Sequence, residues 1–140
     1  MLNKVELIQL FDVLGTPPRG RELIMSARTQ APVRDVQSRG GNVITALAST
    51  KMAREICTES RTIEFPAAVL KEHDPAVLEY YAQPTKLSLE LVDPATGEIR
   101  NITHYPDFLV ITENGFTLEE WKSEVKLAGL SEKYPYRYLK

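Results

Sequence analysis

The chain has a single cysteine, Cys57, in 140 residues. One thiol can form neither an internal disulfide nor a thiolate zinc cluster, so the expectation for Cys57 is a small, buried, apolar residue. Histidine is almost as scarce. His73 and His104 are the only two, and neither sits in a ligand spacing that would build an imidazole metal centre. No apolar run approaches the length of a membrane span, and Met1 to Glu6 lacks the layout of a signal peptide. No repeat or low-complexity tract is visible. Gly40-Gly41 has no lysine after it and no strand before it, so it reads as a turn and not a phosphate loop. With 43% apolar and 26% charged residues, the remaining class is an ordinary soluble, intracellular globular protein of about one domain.

A basic excess is also missing, because the formal net charge is −2. The distribution says more than the total. Between Thr16 and Arg54 stand seven basic residues (Arg19, Arg21, Arg28, Arg34, Arg39, Lys51, Arg54) against Glu22 and Asp35, a net of +5. That is a footprint for a polyanion, or a solvated basic loop with no partner.

Apolar spacing predicts a helix from Leu2 to Leu14, ended by Gly15 and Pro17-Pro18. Thr16 to Asn42, rich in Gly, Pro, Arg and Gln, reads as an extended arm. Residues 42–56 fit a helix or two short elements. Ser60 to His73 has helical spacing with Pro66 inside it, where a proline kinks or restarts a helix. Leu87, Leu89 and Leu91 alternate as a strand, and Glu98 to Thr103 pairs back after the turn residues from Asp93 to Gly97. Ser123 then caps a helix that starts at Glu124. The division is 1–42, an N-terminal helix and basic arm, and 43–140, a mixed α/β domain whose antiparallel meander is flanked by helices.

What the chain does have is a hairpin with chemistry on it. Asn114-Gly115 is a strong type I′ turn signal between apolar runs. With those two residues as the turn, Glu113 faces Phe116, Asp107 faces Lys122, and Leu109 faces Glu120. Glu120 is then the diagonal neighbour of Asp107 on the same face, at somewhat under about 7–8 Å between Cβ atoms. Two acids and a lysine on one face are the parts of a metal-dependent phosphodiester cutter. Asp107, Glu120 and the backbone carbonyl of Trp121 can hold a hard cation such as Mg²⁺, and Lys122 can orient the attacking water or stabilise developing charge. Another carboxylate would come from Glu64 on the preceding helix. Glu124-Val125-Lys126 repeats the Glu-x-Lys spacing, but a Ser123 cap places it beyond the strand. Trp121 is expected to point away, into the core. Tyr134, Tyr136, Tyr138 and Arg137 form either a DNA grip or a packing edge.

Tyr105-Pro-Asp-Phe-Leu-Val with Glu120-Trp-Lys122 resembles the PD-(D/E)xK nuclease superfamily. From Ser60-Arg-Thr-Ile-Glu64 through Asp74-Pro-Ala-Val-Leu, Gln83-Pro84 and the hairpin to Ser131-Glu-Lys-Tyr-Pro135, the chain is similar to the N-terminal catalytic domain of TnsA-like transposon endonucleases. The resemblance implies a restriction-endonuclease-like fold with a mixed sheet, and catalytic residues Glu64, Asp107, Glu120 and Lys122. Glu59 and Glu55 remain alternatives for the helix acid, and Gln83 matches the family's Gln-Pro. It further implies Mg²⁺, with Mn²⁺ able to substitute, and cleavage at transposon ends beside a DDE-type transposase subunit. The setting is the prokaryotic cytoplasm, at the nucleoid, with homo-oligomers in the assembled complex left open. The chain stops at Lys140, short of the C-terminal domain common in TnsA proteins, as a minimal form, a fragment or the front of a fusion would. Two other functions compete: a restriction or repair nuclease of the same superfamily, and a non-cleaving module that binds DNA or a transposase.

Overall fold

In the computed structural model, residues 1–33 and 44–138 are described. Helix α1 (Lys4–Val13) forms where its apolar spacing predicts. Asn3 caps it by accepting from the Val5 and Glu6 N–H groups, while Glu6 reaches back to the Asn3 N–H. Two orphan donors are satisfied reciprocally. Gly15, at φ +58°, turns the chain out of the helix in a conformation that glycine adopts without strain.

The expected extended arm is instead helix α2 (Pro18–Thr29). Pro18 occupies its first position, where a missing N–H matters least, so the prolines that close α1 also open α2. Only Ile24 and Ala27 are buried along it, a stripe too short to register as a period in sequence. Arg34, Arg39 and Gly40-Gly41 lie outside the described residues, as does the expected boundary between residues 42 and 43.

Strands β1 (Thr45–Ser49) and β2 (Arg54–Thr58) form an antiparallel hairpin. Cys57 is only half-buried there, and its Sγ lies 3.4 Å from Glu55 Oε1, contrary to the buried position expected of it. Helix α3 (Glu64–His73) follows. Pro66 is the third residue of α3, within the first turn, whose N–H groups have no intrahelical partner. The helix therefore needs no kink, and Pro66 does not displace Glu64.

Strand β3 (Val77–Ala82) leads to the hairpin β4 (Leu87–Val92) and β5 (Ile99–His104), then to β6 (Phe108–Thr112) and β7 (Gly115–Glu119). The sheet order is β3-β6-β7, and β4-β5 is a separate two-stranded sheet. Helix α4 (Glu124–Lys133) closes the sequence, with Ser123 accepting from the Lys126 N–H as expected of a cap. The result is a mixed α/β fold with antiparallel sheets, compatible with a restriction-endonuclease-like architecture. Among the described residues, no helix is long and apolar enough to cross a membrane.

The central strand β6 is covered on both faces, and Phe108, Leu109, Val110 and Ile111 are all buried. Each such side chain contributes roughly 1.5–3 kcal/mol on burial. Phe11 of α1 packs on Phe116 at 5.7 Å between ring centroids, while Lys71 of α3 lies over Phe108 on the other side. Glu79 of β3 is fully buried. It accepts from the Leu2 N–H and the Tyr81 hydroxyl and is ion-paired with Arg28 at 3.3 Å, so α2 is tied to the sheet through charge. Arg21 pairs with Asp12 at 2.8 Å. Two arginines expected to meet a polyanion thus hold the N-terminal helices in place.

Candidate active site

The register of the β6-β7 hairpin positions the site. Thr112 pairs with Gly115, Ile111 with Phe116, and Phe108 with Glu119, so the two-residue loop is Glu113-Asn114 and not Asn114-Gly115. Thr112 enforces this: its hydroxyl accepts from the Asn114 N–H and donates to the Gly115 carbonyl, both at 3.2 Å. Neither Asn114 nor Gly115 is left-handed, so the type I′ turn does not form. The slip from the expected register is two residues, an even number, so every side chain keeps its face. Its effect is to bring Glu120 opposite Asp107, one step beyond the last ladder pair, where Lys122 was expected. The strands also end early, at Phe108 and Glu119, leaving Asp107 just before β6 and Glu120 to Lys122 in the segment leading to α4.

Backbone hydrogen bonds fix Asp107. Its N–H donates to the Glu119 carbonyl at 2.8 Å, and its carbonyl accepts from the Gln83 N–H at 2.9 Å. Gln83 does so from a left-handed backbone, φ +45°, at the end of β3. The Asp107 carboxylate accepts from the Trp121 N–H at 2.6 Å. That bond crosses from the start of β6 to the segment carrying Glu120 and Lys122.

Glu64, Asp107, Glu120 and Lys122 line one open cleft of about 410 Å³. Glu59 lines it as well, whereas Glu55 does not. Lys126 and Arg137 complete a set of three permanent cations facing four carboxylates. Lys122 Nζ stands 2.8 Å from Glu120 Oε1, and the Tyr138 hydroxyl reaches the same oxygen at 3.5 Å. Arg137 is braced by His104 Nδ1 at 2.9 Å. Lys126 and Arg137 escaped the sequence reading because neither belongs to the hairpin. The Ser123 cap sets the first turn of α4 beside the cleft, and the His104 contact folds the C-terminal segment back.

Burial pushes the Glu64 carboxyl above its ordinary pKa, and the Asp107 and Glu59 charges add to this against the Glu59 N–H and Lys122. Burial also raises Asp107, aided by Glu120 and opposed by the Trp121 N–H and Lys122. Lys122 goes upward: burial disfavours its charge, but the Glu120 and Asp107 carboxylates outweigh burial. Carboxylates crowded in this way are relieved by a cation. Their oxygens are the donors that a hard divalent ion takes, and each acid has one oxygen for which no protein donor was described above. Among the described residues, however, no three His, Cys, Asp or Glu side chains already form a metal-holding group.

Residues 74–138 match the family model of the TnsA-like endonuclease N-terminal domain. This chain carries a TnsA-like nuclease domain. Asp107, Glu120, Lys122, Lys126 and Arg137 all fall inside the TnsA-like region, and Glu64 lies before it. No curated protein matches the chain. Trp121 of the TnsA-like domain points away from the cleft, as expected, but it is 36% exposed and does not enter the core.

Proposed function

We propose that this chain is a Mg²⁺-dependent DNA endonuclease subunit that hydrolyses phosphodiester bonds at transposon ends beside a DDE-type transposase. The observation that supports this most is the placing of Glu64, Asp107, Glu120 and Lys122 around a single open cleft within a TnsA-like nuclease domain. Asp107, Glu120 and Glu64, with the Trp121 carbonyl, are the groups that would hold the metal. When bound, it would polarise the phosphate and lower the pKa of a water. Lys122, kept protonated by Glu120 and Asp107, stabilises charge that develops on the phosphate oxygens. Lys126 and Arg137, at the cleft wall, grip flanking phosphates, which positions the strand without reading its sequence.

Specificity then comes from the transposase, which raises the local concentration of the cut site. Little cleavage of plain duplex by the isolated chain with Mg²⁺ or Mn²⁺ is expected, and nicking near transposon ends once the transposase is added. Asp107→Asn, Glu120→Gln and Lys122→Met should each remove that nicking. Sequence-specific cutting by the isolated chain would favour a restriction-type nuclease. The Glu120–Lys122 ion pair favours a second reading, a non-cleaving module that binds DNA or a transposase; end binding that never proceeds to nicking with either metal would establish it.

A further inference from the structure

Behind the cleft, on the α3 side of the sheet, Lys71 is almost completely buried at 5% exposure. A buried ammonium is strongly unfavourable unless paired. Lys71 has one carboxylate partner, Glu119, at 2.6 Å, and two aromatic faces, Trp121 at 4.5 Å and Phe108 at 4.8 Å from its Nζ. The same Glu119 oxygen accepts from the Trp121 indole N–H at 2.6 Å. One carboxylate thus joins a helix lysine to the only tryptophan of the chain.

The position of Trp121 makes this consequential. Its side chain is held by Glu119 and Lys71, while its backbone N–H donates to the Asp107 carboxylate at 2.6 Å. Glu119 is bound a second time, through its carbonyl, by the Asp107 N–H at 2.8 Å. Alternation along the segment sends 119 and 121 toward α3 and 120 and 122 toward the cleft. This segment lies beyond the β7 ladder, so sheet pairing does not fix its direction.

We propose that Lys71, Glu119 and Trp121 form a positioning clamp that aims Glu120 and Lys122 into the cleft. None of the three lines that cleft, so they act through the backbone of the segment they hold. The functional consequence rests on the nuclease reading; the structural one does not. In PD-(D/E)xK terms, the clamp sets where the acid and the lysine stand relative to Asp107 before any substrate arrives.

The test is hydrogen exchange at the Trp121 amide of the full chain, measured by NMR in the absence of metal. Lys71→Met keeps the buried stem and removes the charge. It should speed exchange at Trp121 by about tenfold while Leu109 and Ile111 in β6 keep their protection, and Lys71→Arg should restore it. Nicking in the presence of the transposase should fall about tenfold in kcat with KM for DNA unchanged, as for other supporting residues behind a site. If Lys71→Met does not fold, Trp121→Phe, which loses only the indole N–H, carries the same measurement at the position-121 amide. Unchanged exchange at position 121 in a folded variant overturns the clamp, whatever the activity. The nuclease reading is judged separately, by nicking with Asp107→Asn.

Discussion

Asp107 keeps a 2.6 Å hydrogen bond from the Trp121 N–H while burial and Glu120 push its carboxyl upward. The folded chain therefore holds this proton to higher pH than the unfolded chain does. Stability falls as pH rises from the ordinary carboxylate range through the raised value, and stays lower above it. Asp107→Asn retains an acceptor for Trp121 and removes the charge. Its Tm at neutral pH without metal should equal or exceed that of the parent, and the advantage should vanish in acid, where the parent carboxyl is protonated. Thermal melts across pH would check this. A large loss of stability at neutral pH would mean that Asp107 holds the fold and is not poised for a cation.

Helix α3 shows the opposite sign. Glu72 accepts from Ser49 Oγ, the Lys51 N–H and the Tyr80 hydroxyl, which joins α3 to the β1-β2 turn and to β3. Burial opposes its ionisation, but these bonds together hold its pKa down to about 2. The contribution is complete above the ordinary value of 4.5 and is lost as pH falls from there through about 2. Glu72→Gln should lower stability by about 1–3 kcal/mol at pH 7 and flatten the acid limb of the stability profile in that window. Among the elements, α1, β4, β5 and α4 were readable because each has a clear period or cap of its own. Helix α2 and the strands β1 and β2 were not, since their short apolar stripes acquire meaning only against Phe116, Tyr81 and the sheet.

Across the whole molecule, two sets of basic residues separate. Arg28 serves the fold: it pairs with the fully buried Glu79, and Arg28→Ala should cost about 3–5 kcal/mol by leaving that charge unpaired. Lys126 and Arg137 face the open cleft. Neutralising either should weaken duplex binding uniformly and reduce the slope of log K against log[salt] by about one. Binding titrations at several salt concentrations would check this. An unchanged slope in both variants would remove these side chains from the DNA path.

Local residues by themselves determined that Asp107, Glu120 and Lys122 would share a hairpin and a face, because alternation has a period of two and survives a slip of two. They also determined the Ser123 cap and the TnsA-like character of the C-terminal half. The exact pairing was decided by Thr112, whose hydroxyl closes the turn one residue earlier than Asn114-Gly115 implies. Which helix acids reach the cleft, the arrival of Lys126 and Arg137, and the support behind Trp121 were decided only in three dimensions. These depend on contacts between residues distant in the chain, and on the requirement that buried charges such as Glu79 and Lys71 find partners, which no local pattern encodes.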